Sequence, residues 1–226
     1  MLANAWDRCS GLNVFVRDIS GQWVKSIALA NSAKGKHIRD FTRYHDKITG
    51  IDMVMAGTNS SPGSPPIVLR GTYNPNLATK IEWVSSAEPL APNTLRPDPA
   101  DRVTSFTEVN SQLYTTVCEK IYVREDGINP QWRAIYANDT PTPFPLNCPE
   151  GPGEWGYRGA TTIPWIEGRE NFLVGMEGTN SEIRRIDPLK DITEKELDIK
   201  AFLQNSKEFM RPDVSYIIPA YNDMAS

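Results

Sequence analysis

The chain has 226 residues, 23% of them charged and 39% hydrophobic, with a formal net charge of −4. That balance is ordinary for a folded domain and too apolar for a disordered one, while mild acidity without a Lys/Arg cluster excludes a nucleic-acid footprint. No apolar run approaches the roughly 18 residues that a helical membrane span requires, and the opening Met-Leu-Ala-Asn-Ala-Trp-Asp-Arg lacks the basic start and apolar centre of a signal peptide.

Taken in order, residues 1–12 read as a polar lead-in. A first unit, 13–30, follows as a hairpin of strands 13–17 and 22–29 around Ser20-Gly21, with the inner strands of a sheet missing. The second unit, 37–88, carries β-prone runs at 38–42, 51–56, 67–71 and 80–85. A Pro-rich connection, 89–99, leads to the third unit, 102–138. Its runs at 103–106 and 112–117 are split by an Asn110-Ser111 turn, and 120–124 and 132–136 follow across Glu-Asp-Gly-Ile-Asn-Pro. Another Pro-rich connection, 140–153, precedes the fourth unit, 156–188, with strands expected near 159–163, 171–176 and 182–186. After it the apolar period changes. Leu197, Ile199, Phe202 and Leu203, with Thr193 as cap and Glu196 three residues on, predict a short amphipathic helix over 193–204. The β-prone run 214–220 then reads as a closing strand.

The units repeat. Asn13-Val-Phe-Val-Arg-Asp18 with Gln22-Trp23-Val24 matches Lys120-Ile-Tyr-Val-Arg-Glu125 with Gln131-Trp132-Arg133, an offset of 109 between the tryptophans. Met53-Val-Met-Ala-Gly-Thr-Asn-Ser60 matches Val174-Gly-Met-Glu-Gly-Thr-Asn-Ser181 at an offset of 121. Each offset is about twice the length of a four-stranded blade with long connections, and a β-sandwich has no reason to repeat such words. The expected fold is therefore all-β, a propeller or partial propeller of about four four-stranded antiparallel blades in a single domain, with one short helix near the C-terminus. The closing strand would complete the sheet begun at the N-terminus and remove two exposed edges.

The words Leu-Tyr-Thr-Thr-Val with Ile-Tyr-Val-Arg, Gln-Trp-Arg-Ala-Ile-Tyr-Ala-Asn, Met-Glu-Gly-Thr-Asn with Arg-Ile-Asp-Pro188, and Ala220-Tyr-Asn-Asp-Met224 resemble a group of bacterial and fungal proteins with kelch-like or tectonin-like propeller repeats. The likeness covers most of residues 13–224. It implies a propeller and assigns no activity, because the shared words are structural.

The candidate chemistry is of two kinds. Trp23 and Trp132 recur at equivalent positions, which blade packing explains. Trp155 and Trp165 have no such repeat partner and, with Glu177 and Asn180, suit a face that binds a carbohydrate or protein partner. Glu108, Asn110, Asn222 and Asp223 offer oxygen ligands of the type that calcium takes, a pattern similar to that of propeller lactonases with a channel cation. Their alternative reading is as turn residues. His37 and His45 are the only histidines, His45 being placed in a solvated turn, and no GxSxG, HExxH, P-loop or GxGxxG stands in the chain. Three cysteines, Cys9, Cys118 and Cys148, form no CxxC pair, so a zinc site is not expected; Cys118, at the end of an apolar strand, reads as a buried inert thiol, and a Cys118–Cys148 or a Cys9–Cys148 bridge stays open. Sequons at Asn59 and Asn138 tilt localisation towards the extracellular side.

The leading expectation is a non-enzymatic binding or scaffold protein without a required cofactor. The alternatives are a calcium-dependent lactonase-like hydrolase and a structural subunit of a larger assembly, the latter a homo-oligomer if the ring is incomplete.

Overall fold

A computed structural model describes residues 2–7, 11–28, 37–59, 66–90, 103–117, 120–135, 156–177, 182–190 and 192–198. Strands dominate these segments and form four antiparallel meanders. The first sheet is β1 (Leu2–Asp7), β2 (Gly11–Arg17) and β3 (Trp23–Ala28) in sequence order. The second runs β4 (Ile38–Asp46), β5 (Ile51–Thr58), β6 (Ile67–Tyr73) and β7 (Ile81–Trp83), and the two-residue strand β8 (Glu88–Pro89) adds to the free half of β6. The third contains β9 (Val103–Val109), β10 (Gln112–Val117), β11 (Lys120–Glu125) and β12 (Gln131–Ile135). The fourth contains β13 (Gly156–Pro164), β14 (Glu170–Glu177), β15 (Glu182–Asp187) and β16 (Ile192–Asp198). The all-β, blade-like class read from the sequence is therefore correct, with sheets of three, five, four and four strands.

Two expectations are corrected. The lead-in contains a strand: β1 pairs with β2 in unbroken register from Leu2↔Val16 to Asp7↔Gly11. It satisfies a row of backbone groups that the two-stranded hairpin alone would leave open. The helix expected over 193–204 is instead β16 as far as the described residues reach, paired with β15 from Asp187↔Ile192 to Glu182↔Asp198. Leu197 is exposed, whereas Glu194 and Glu196 both pair with Arg185 across the ladder; Ile199, Phe202 and Leu203 lie outside the described residues. The closing strand 214–220 and all three cysteines lie outside the described residues.

The chain divides into two compact units. Met1–Val103 with Arg124–Arg133 form the first, and Thr104–Val123 with Ala134–Ser226 form the second. In the first unit, the inward faces of β2, β4, β5, β6 and β7 supply two clusters, Val14, Ile38, Ala56 and Leu69, and Val16, Val54 and Ile81. In the second, Val109, Tyr114, Ile121, Val123, Ala160, Phe172, Val174 and Ile186 form one cluster, with the Tyr114 and Phe172 rings 5.4 Å apart. The alternation is strict: Ile121 and Val123 enter that apolar cluster, and the neighbouring Arg124 points to the opposite face of its strand.

In the first copy of the Gly-Thr-Asn word each of the three residues has a structural job. A Cβ on Gly57 would stand 2.3 Å from a Val103 methyl carbon. The Thr58 hydroxyl, fully buried, accepts from the Ile67 N–H at 3.0 Å and donates to the Ile67 carbonyl at 3.1 Å. Asn59 closes the sheet end by accepting from the His37 N–H through its side chain.

Candidate functional site

The most concentrated polar chemistry in the described residues lies in the first unit, around Arg124. β11 places Arg124 on the face opposite its apolar residues, and the chain turns through Asp126 and Gly127, whose φ of +139° is glycine backbone. β12 then returns Trp132 to the same neighbourhood. Arg124 is fully buried, and so is Asp46 at the end of β4; Glu88 on β8 is 3% exposed.

Four of the five N–H groups of the Arg124 guanidinium meet carboxylate oxygens. Its Nη1 donates to Asp46 Oδ2 at 2.9 Å and to Asp126 Oδ1 at 2.5 Å, while Nε and Nη2 donate to the two oxygens of Glu88 at 3.1 and 3.0 Å. That is a bidentate fork on Glu88. The Trp132 indole N–H donates to Glu88 Oε2 at 2.8 Å, and the Tyr44 hydroxyl donates to Asp126 Oδ2 at 2.6 Å, its ring lying 5.6 Å from the guanidinium. Backbone N–H groups of Ile48, Thr49 and Gly127 complete Asp46.

The electrostatics follow from this wiring. Burial pushes the Asp46 carboxyl up, but Arg124 and the Thr49 and Gly127 N–H groups outweigh it and hold it at about 2, below the ordinary 3.8. Burial acts to lower the Arg124 value, and Glu88, Asp46 and Asp126 together raise it instead. A carboxylate held so firmly ionised is a poor proton donor or acceptor near neutrality. Asp46 and Arg124 are thus held charged and fixed.

Beside it opens a cleft of about 430 Å³, lined by Arg70, Ser86, Ala87, Glu88, Ile128, Asn129, Pro130, Gln131 and Trp132. Arg70 approaches Glu88 Oε1 at 3.5 Å, and its buried Nε has no hydrogen-bond partner. Ser86, Asn129 and Gln131 are exposed at the rim, and Trp132, Ala87 and Pro130 give the wall its apolar part.

The residues singled out from the sequence are scattered. Trp165 stands exposed at the start of a single 3-10 turn (Ile166–Gly168), with the Arg185 guanidinium 3.8 Å over its ring. The backbone of Glu177 pairs with Gly156 at the end of β14. Trp155, Asn180, Asn222 and Asp223 lie outside the described residues. Glu108 is exposed on β9, its carbonyl accepting from the Thr162 hydroxyl. Asn110 opens the β9–β10 turn with φ of +50°, followed by Ser111 at +56°. Its amide clasps the backbone of Glu170, donating at 3.0 Å and accepting at 2.9 Å, while its own N–H donates to Glu170 Oε2 at 2.6 Å. Among the described residues no group of three or more His, Cys, Asp and Glu side chains is placed to hold a metal ion. His45 lies on β4 rather than in a turn and is exposed, its Nδ1 2.8 Å from Asp52 Oδ1.

Sequence reasoning assigned Trp132 to packing and did not single out Arg124, Asp46, Glu88 or Arg70. The available signal was the repeated Arg-acidic word followed by Gln-Trp. Its two copies differ in surroundings, for Trp132 is 2% exposed and Trp23 is 49% exposed. No helix among the described residues is long and apolar enough to cross a membrane. No protein-family model matches this chain, and no curated protein matches it.

Proposed function

We propose that the chain is a non-enzymatic binding module that takes a hydroxyl-rich ligand of the carbohydrate class in the Arg70–Trp132 cleft. The observation that carries this reading is a cavity of about 430 Å³ with a fixed Glu88 floor and a rim of exposed Ser86, Asn129 and Gln131. Arg124 and Trp132 occupy both oxygens of Glu88, so the floor is held in place, and rim amides and a hydroxyl supply paired donors and acceptors. A rigid floor under an adaptable polar rim suits orientation of a ligand by hydrogen bonds. The propeller arrangement, with its likeness to kelch-like and tectonin-like repeats, is part of this reading; its support is the set of blade-like meanders and the recurring words.

Glycan-array screening followed by calorimetry tests it. A Gln131→Ala/Asn129→Ala variant changes only exposed side chains, so the melting temperature is expected to hold while affinity for the array hit falls about tenfold, a loss of about 1.4 kcal/mol. An array with no hit, or a hit that the variant binds as tightly as the parent, overturns the proposal.

A further inference from the structure

The Arg-acidic and Gln-Trp word occurs once covered and once open, and the covered copy shows what chemistry its face accepts. In the third sheet Tyr122, Arg124 and Trp132 are all buried. Carboxylates latch this copy: Arg124 forks Glu88 and reaches Asp46 and Asp126, and the Trp132 indole N–H donates to Glu88 as well.

In the first sheet the counterparts are Phe15, Arg17 and Trp23. Leu2, Val14 and Val16 turn to the core clusters, so strand alternation puts Phe15 and Arg17 on the other face. The register pairs Arg17 with Trp23 and Phe15 with Lys25. Two cations and two rings therefore alternate in a checkerboard, with diagonals of about 7–8 Å. Arg17, Trp23 and Lys25 are exposed and Phe15 is half-buried. Lys25 stands where the covered copy has Ala134, so the open copy carries one cation more.

These groups are not used up by the fold. Among the described residues no carboxylate pairs with Arg17 or Lys25, and the Trp23 ring and N–H have no partner. The Arg17 Nε donates to the Gly21 carbonyl at 3.1 Å, which holds the guanidinium at the end of the hairpin and leaves both Nη groups to a ligand. Asp18, the adjacent acid, is turned into the hairpin. Its Oδ1 accepts from the Ser20 N–H at 2.9 Å, the Ser20 hydroxyl at 2.6 Å and the Gln22 N–H at 3.0 Å.

We propose that this face binds a carboxylate-bearing sugar of the uronic-acid class. One carboxylate lies between Arg17 and the Trp23 N–H, as Glu88 lies between Arg124 and Trp132, while sugar rings rest on Trp23 and Phe15 and Lys25 meets a further acid group. The covered copy specifies carboxylate, and the open aromatic rings specify a ligand with apolar ring faces. β2 is hydrogen-bonded on both edges, to β1 and β3, so Phe15 and Arg17 stand where no backbone is open to an extended peptide. The site is distinct from the Arg70–Trp132 cleft and does not depend on it.

Calorimetry on the full chain with hexamers of galacturonate, glucuronate and mannuronate, and with their methyl esters, tests this. At least one acid is expected to bind, and its ester, which keeps the ring and loses the charge, at least about tenfold more weakly. Arg17→Gln, Lys25→Gln and Trp23→Ala are each expected to weaken binding of the acid about tenfold. The first two change exposed side chains, so unchanged melting temperatures verify folding. The cleft variant Gln131→Ala/Asn129→Ala should bind the acid as the parent does, which separates the two sites. No binding of any hexamer, equal binding of acid and ester, variants that bind like the parent, loss of binding in the cleft variant, or hexaglutamate or single-stranded DNA bound more tightly than every oligouronate would each overturn the proposal.

Discussion

A buried arginine is worth most to the fold when removing it is worst. Arg124 pairs with Asp46, Glu88 and Asp126 in a water-poor setting, and a partner-less buried carboxylate costs far more than the intact network gains. Arg124→Ala is therefore expected to lower unfolding free energy by about 3–5 kcal/mol in urea titrations, whereas Arg17→Ala should stay within about 0.5 kcal/mol because that side chain is exposed. Equal effects at the two positions would contradict the burial difference. The sequence shows both arginines in the same word but not which is latched. The partners of Arg124 lie 78 and 36 positions away, at Asp46 and Glu88, and nothing local announces them. The cleft was invisible for the same reason, since Arg70 and Gln131 meet only after the second and third sheets have formed.

At the level of elements, most strands were legible because alternation of apolar residues and turn chemistry agree. The Asn110-Ser111 turn, with both residues at positive φ, is one example. The failures came where a strand is chosen by its neighbour's open backbone edge rather than by its own pattern. β1 has a weak apolar signature, and β16 has a helical one that is overridden by the Arg185 ladder to Glu194 and Glu196. The Gly-Thr-Asn word was read as a repeat marker; in its first copy Gly57 answers a steric demand, and Thr58 and Asn59 answer hydrogen-bonding ones. Gly57→Ala must push Val103 aside, and overpacking of this kind is expected to cost about 1–3 kcal/mol. Adding Val103→Ala should recover part of that loss in the double variant, and additive losses in thermal unfolding would count against the contact.

Across the whole molecule, the fixed charges set the response to acid. The Asp46 carboxyl sits at about 2 in the folded chain against an ordinary 3.8. Because the folded value is the lower one, its contribution is fully present above about pH 4 and is lost as pH falls through about 2. That contribution is on the order of 2 kcal/mol. Urea midpoints measured down this range should fall more steeply for the parent than for Asp46→Asn, and parallel slopes would remove Asp46 from the acid response. Composition alone foretold a mildly acidic folded chain, but not which carboxylate carries the dependence, since that is decided by proximity to Arg124.

The duplicated Arg-acidic and Gln-Trp word also bears on how freely each part of this chain can drift. At Arg124 and Trp132 the fold itself enforces the residues, so substitutions there are removed through loss of the folded state. At Arg17 and Trp23, both exposed, substitutions leave the folded state intact. One repeated word thus carries two mutational tolerances within a single polypeptide, narrow at its buried copy and wide at its exposed one.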